Sequence, residues 1–210
     1  MIHYRQISFI LFITAGDMYT QPRCEYAFAC GEEPRMCSNT KKKIAQALRR
    51  LMNERPFEKI TVQNLMDMAQ MKRQSFYYHF QDPRDVLIWL YRQEVVIPLE
   101  DAQLPFVDWV LLALDLLNRD RCFYRQMLNA AHADFLREFG QVLEPRMLKL
   151  LYPDRTTQQL SDHERFALDF ATQATCARVI RFVHSRDSMD PGDIRGRIEY
   201  LVNSLSISQL

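Results

Sequence analysis

The sequence predicts an all-α protein, and three observations carry that prediction. Only five glycines occur in 210 residues, so long stretches lack the commonest turn residue. Leu, Ala, Arg, Gln and Met, all good helix formers, are abundant. No segment sustains the apolar–polar alternation of a half-buried strand, whereas several repeat apolar residues every three or four positions. With 48% apolar and 25% charged residues, the chain can bury a sizeable core. The length fits one large domain or two small ones.

The first 37 residues stand apart. The apolar run "ISFILFIT" (Ile7 to Thr14) is too short to span a bilayer as a helix. With Arg5 ahead and Ala15-Gly16 behind, it makes a poor secretory signal. The following "CGEEPRMCSNT" has linker character. Residues 1–37 are therefore expected to be a disordered extension, with residues 1–35 either a loose tail or an over-long start ahead of a true initiator at Met36.

From Asn39 the helical pattern begins. Asn39 and Thr40 are N-cap types. Ile44, Ala47, Leu48, Leu51 and Met52 then form one apolar face, and Pro56 ends the helix. Thr61 is a second N-cap candidate, ahead of a short helix with Val62, Leu65, Met66 and Ala69 on its stripe. After a tight bend comes "MKRQSFYYHF", Met71 to Phe80. A longer helix followed by two short ones across a tight turn is the layout of a helix-turn-helix unit.

On a helix from Lys72 to Phe80, Arg73, Gln74, Tyr77 and Tyr78 share an arc of roughly 140°. Phe76 points away from that arc and Phe80 closes the end. Arginine can donate two bonds to a guanine edge and glutamine can pair with adenine. Tyrosine and histidine tips can bond phosphate. Charge agrees with that use. The chain is nearly balanced at +1, yet Ser38 to Phe80 holds nine Lys+Arg against three Asp+Glu. Such local asymmetry suggests contact with a polyanion.

"ITVQNLMDMAQMKRQSFYYHFQDPRDVLIW" resembles the DNA-binding region of TetR-family transcriptional regulators, with "FYYHF" its most diagnostic piece. The resemblance spans roughly Ile44 to Trp89. It implies that Thr61 caps the second helix and reaches a phosphate, and that Lys72 opens the recognition helix. It further implies that Arg73, Gln74 and Ser75 face bases, and that Tyr77, Tyr78 and His79 lie on backbone or base edges. Lys41, Lys42 and Lys43 are either further backbone contacts or a solvated basic face. Two positions depart from the family pattern: Gln70 replaces the turn glycine, and Pro83 replaces a lysine, with Arg84 as an imperfect substitute.

The boundaries implied are a helix-turn-helix domain at 38–85 and a helical dimerisation and effector domain at 86–210. Asp82-Pro83 opens a helix expected to run to about Val96, where Pro98 follows. Later helices are expected between breaks at Pro105, Asn118–Asp120, "YPDRTT" and "SRDSMDPGD". In "SDHERFALDFATQATCARVIRFVHS", Ala167, Ala171, Ala174 and Ala177 share a broad face while larger apolar residues surround the rest. A helix apolar nearly all round is buried or lies at an interface. Together with the last helix it is expected to form a homodimer. The layout after Pro105 is similar to a subgroup that includes regulators of dihydroxyacetone-kinase operons.

The expected partners are therefore a double-stranded DNA operator, a second copy of the chain, and an unidentified small-molecule or protein effector. No membrane partner, cofactor or metal is expected, and the location expected is the cytoplasm. Candidates to line an effector pocket are Trp89, Trp109, Phe123, Tyr124, Met127, His132, Phe135 and Phe170, all of them equally good core residues. The five cysteines, Cys24, Cys30, Cys37, Cys122 and Cys176, match no metal spacing. No catalytic motif such as G-x-S-x-G or H-E-x-x-H, nor any phosphate-binding glycine loop, occurs. An enzyme is thus not expected. The stronger rival is a helical protein-interaction co-regulator with weak or no independent DNA binding, which Gln70 and Pro83 keep open.

Overall fold

The computed structural model describes residues 35–185 and 191–207. Nearly all of the expected N-terminal extension, and part of the "SRDSMDPGD" break, lie outside those residues. Among the described residues every regular element is helical.

The first helix, α1 (Arg35–Glu54), starts ahead of its expected caps and carries Asn39 and Thr40 in its interior. Ile44, Ala47, Leu48, Leu51 and Met52 are all buried, as their spacing predicts. A 3-10 turn (Phe57–Lys59) leads to α2 (Val62–Ala69) and α3 (Arg73–Tyr77). Next comes α4 (Pro83–Tyr91), with the Asp82 side chain accepting from the Asp85 N–H and Pro83 in the first turn.

Pro98 does not end this helix. A π turn (Arg92–Val96) follows α4 and continues into α5 (Ile97–Asp101). The Ile97 N–H reaches back to the Arg92 carbonyl. This wider turn precedes the proline, whose nitrogen has no hydrogen to donate. The chain stays helical where a proline in a regular α-helix would break it.

Pro105 precedes α6 (Phe106–Asn118), and Asp120 caps α7 (Arg121–Leu151) by accepting from the Phe123 N–H. This long helix is broken at Ala131, where φ is −141° and ψ is 44°. Ser161 and Glu164 form a capping box at the start of α8 (Asp162–His184), and α9 (Pro191–Ile207) is the last element. The core of the C-terminal part is aromatic. Tyr91 stacks on Phe135 at 4.8 Å, and Trp109 stacks on Phe139 at 6.0 Å. The Trp109 indole N–H donates to the Leu99 carbonyl at 2.9 Å, which satisfies its one buried polar group.

Helix α8 has two distinct sides. Leu168, Thr172, Cys176, Val179 and Val183 are buried at three- and four-residue steps. On the other side Phe166 and Phe170 are 71% and 67% exposed, next to exposed Ala167, Ala174 and Ala177. Tyr200 and Leu201 of α9 are exposed as well.

Candidate nucleic-acid interface

Thr61 fixes the start of α2. Its hydroxyl accepts from the Asn64 N–H at 3.2 Å, while the Asn64 side chain accepts from the Thr61 N–H at 3.1 Å. This reciprocal pairing satisfies two N–H groups that the first helical turn would otherwise leave open. Leu65 and Met66 are buried beneath it.

The bend between α2 and α3 turns on Gln70, at φ 55° and ψ 45°. Two backbone bonds close it. The Met71 N–H donates to the Met66 carbonyl at 2.9 Å, and the Gln70 N–H to the Asp67 carbonyl at 3.1 Å. This is a Schellman closure, which favours glycine at the left-handed position. Gln70 holds the same geometry with a side chain that points to solvent, since the residue is exposed.

Helix α3 is shorter than Lys72 to Phe80. Lys72 is its extended N-cap, and only Arg73 to Tyr77 are regular α-helix. Beyond Tyr77 the turn tightens, with the His79 N–H donating to the Phe76 carbonyl at 2.9 Å. The expected division of faces nevertheless holds. Phe76 is fully buried, Phe80 is buried, and Phe80 meets Trp89 edge-on at 6.2 Å. Lys72, Arg73, Gln74, Tyr77 and Tyr78 are exposed, Tyr78 by 85%, while Ser75 and His79 are half-buried.

Arg73 and Tyr77, one turn apart, are paired. A terminal guanidinium nitrogen of Arg73 donates to the Tyr77 hydroxyl at 3.2 Å. The guanidinium also sits 5.9 Å from the Tyr77 ring centre. Thr61 stands at the start of α2, the helix before the turn. Lys41 and Lys42 are half-buried and Lys43 is exposed.

Arg84 does not join this face. Its side chain binds Asp134 on α7, with distances of 2.6 Å from Nε and 2.5 Å from a terminal nitrogen. Asp134 also receives Arg137 at 2.9 Å. Arg49, within the basic stretch, is likewise held from behind. It pairs with Glu94, and with Asp120 at 2.5 Å, and lies 4.4 Å over the Phe123 ring. Burial alone would lower the Arg49 pKa, but Glu94 and Asp120 outweigh it and the net shift is upward. Burial pushes the Tyr124 phenol up, and the Glu94 carboxylate, accepting its hydroxyl proton at 3.0 Å, pushes it further. Sequence reasoning missed the Arg49 and Arg84 pairings because each joins residues at least 45 positions apart.

The aromatic candidates for an effector pocket also divide. Trp109, Phe123, Tyr124, Met127 and Phe135 are buried in the packed core, and Trp89 is half-buried against Phe80. His132 and Phe170 are exposed on the surface, so they are not buried pocket walls. A cleft of about 470 Å³ lies elsewhere, between α7 and α8, and none of the eight lines it. Among the described residues no helix is long and apolar enough to cross a membrane, and no metal-ligating cluster occurs.

A short capped helix, a Schellman turn and a second helix with a buried phenylalanine and an outward polar face define a helix-turn-helix unit of the DNA-binding class. Residues 44–88 match the family model described as "Bacterial regulatory proteins, tetR family". The "HTH-type dhaKLM operon transcriptional activator DhaS" of Lactococcus lactis subsp. lactis (strain IL1403) is 30% identical over 91 residues, 42% of this chain. That stretch spans 48% of the relative, about half its length. A solved structure described as "Dihydroxyacetone kinase operon activator DhaS" has the same fold at TM-score 0.58 and 23% identity, covering 79% of this chain and 94% of the other. Residues 44–88 thus carry the DNA-binding region that the TetR-family model describes, and the chain is similar to DhaS.

Proposed function

We propose that the protein is a homodimer that places two copies of α3 in successive major grooves of a near-palindromic operator, roughly 34–36 Å apart. The observation that carries this reading is the outward face of α3. Arg73 and Gln74 suit guanine and adenine edges, while Lys72, Tyr77, Tyr78 and His79 suit phosphates and base edges. Ser75 sits beside them, and Thr61 offers a phosphate contact from the start of α2. Dimerisation is assigned to α8 and α9. The apolar side of α8 at Phe166 and Phe170, with Tyr200 and Leu201 of α9, is the surface that a second copy would cover. An effector, small molecule or protein, acts on the C-terminal domain and shifts the balance between orientations of the reading units. DhaS is described as an activator of an operon, and operon control of that kind is the role proposed for this chain.

Selection of bound duplexes from a random pool by the purified protein tests this reading. Recovery of paired half-sites about one helical turn apart supports it, with binding that weakens steeply as salt rises. A protein that sediments as a dimer yet enriches no sequence would favour the co-regulator alternative.

A further inference from the structure

The helix-turn-helix unit is held to the rest of the molecule from two places on one helix, and that helix is broken between them. Ahead of Ala131, α7 holds α1. Asp120 and the Phe123 ring take Arg49, and the Gln126 side chain donates to the Met52 carbonyl at 2.9 Å. Beyond Ala131, α7 holds α4 and the π turn. Asp134 takes Arg84, and Glu138 takes Arg92. The two acceptors beyond the break are nearly buried, with side chains 11% and 9% exposed, while their arginines keep about half their surface in solvent. The π turn contributes to both sets, because Glu94 pairs with Arg49 and Arg92 with Glu138.

Three arginines in or beside the DNA-reading unit therefore face away from its reading surface and end on carboxylates. Near-buried carboxylates are screened by salt far less than exposed ones. Such pairs fix direction well, because a guanidinium binds a carboxylate in a planar, oriented fashion. The bend of α7 is set by one residue outside helical geometry. A change in that bend would move the seat of α1 relative to the seat of α4, and the reading unit is attached to both.

We propose that Arg49, Arg84 and Arg92 are positioning residues, which transmit the bend of α7 at Ala131 into the orientation of the reading unit and so set the operator spacing that a dimer accepts. The spacing half of this inference rests on the dimeric reading above; the orientation half does not. Neither half requires these arginines to touch DNA.

The orientation half is tested in the full chain, with native cysteines replaced and spin labels placed at exposed Gln63 on α2 and Lys149 on α7. The expected result is a single narrow distance distribution in the parent. Glu138→Gln should broaden or shift it, and the charge exchange Arg92→Glu/Glu138→Arg should restore it. Should Glu138→Gln fail to fold, the doubly neutral Arg92→Gln/Glu138→Gln removes the pair without stranding a charge. An unchanged distribution in folded variants overturns the inference. In the DNA arm, a library with variable gaps between half-sites is used. The variants should accept gaps at least one base pair away from the parent optimum, with preferences inside each half-site unchanged. If the distances respond but the gap preference does not, the spacing claim falls. If the parent recovers no paired half-sites while the distances respond, the dimeric reading falls and the orientation claim stands.

Discussion

Two arginine-bearing surfaces of this chain use the same side chain in opposite ways. On α3, Arg73 faces outward and donates to the hydroxyl of Tyr77, one turn away. At the joint with α7, Arg49, Arg84 and Arg92 each end on carboxylates from distant parts of the sequence. What separates the two is the acceptor. A guanidinium bound to a neutral phenol keeps its charge available to a phosphate or a guanine edge. One bound to a carboxylate, nearly buried for Arg84 and Arg92 and partly buried for Arg49, is committed to holding two elements together. Counting basic residues along the chain cannot make this distinction.

The largest expected effect comes from breaking the support beneath the reading face. Phe76→Ala should cost about 3–5 kcal/mol of stability, the usual range for a buried phenylalanine. DNA binding and the thermal transition should fall together in calorimetry and binding assays. At the joint, Asp134→Ala removes the acceptor that Arg84 and Arg137 share, and it should cost less stability than Phe76→Ala because both arginines keep about half their surface in solvent. That loss should appear in denaturant unfolding, with the base preference of any residual binding unchanged. A shift in preferred bases would mean the two surfaces are not separate.

Smaller changes sharpen the contrast. Gln70→Gly relieves a left-handed backbone position and should stabilise the protein by about 1 kcal/mol. An unchanged or lowered melting temperature would show that the Gln70 side chain contributes more than the turn costs. Tyr77→Phe keeps the ring and removes the acceptor for Arg73. It should weaken binding by less than about 1 kcal/mol, measured by fluorescence anisotropy, with melting unaffected.

Local chemistry was readable in the sequence, and long-range chemistry was not. The Thr61 cap, the Asp82-Pro83 start, the buried Phe76 and the outward Arg73, Gln74, Tyr77 and Tyr78 all follow from three- and four-residue spacing. The Gln70 departure was visible as a residue where the family carries glycine, and the structure shows its physical content, a non-glycine at φ 55°. Asn39 and Thr40 are cap types that also fit inside a helix, so residue type alone puts the start of α1 too late. Pro98 misled because a π turn before it keeps the chain helical. Phe170 is exposed rather than core; a helix apolar on every side does not reveal which side its neighbours cover. The pairing of Arg84 with Asp134 leaves no trace in local pattern, since fifty residues separate them.

The central claim is that α3 reads DNA through its outward polar face. The most direct measurement is a paired titration of Arg73→Ala and the unaltered protein on the recovered operator and on single-base variants of it. Arg73→Ala should melt like the parent and lose about 1–3 kcal/mol of discrimination at one guanine per half-site, with its other base preferences kept. A folded Arg73→Ala protein that discriminates every base as the parent does would contradict the assignment of this helix.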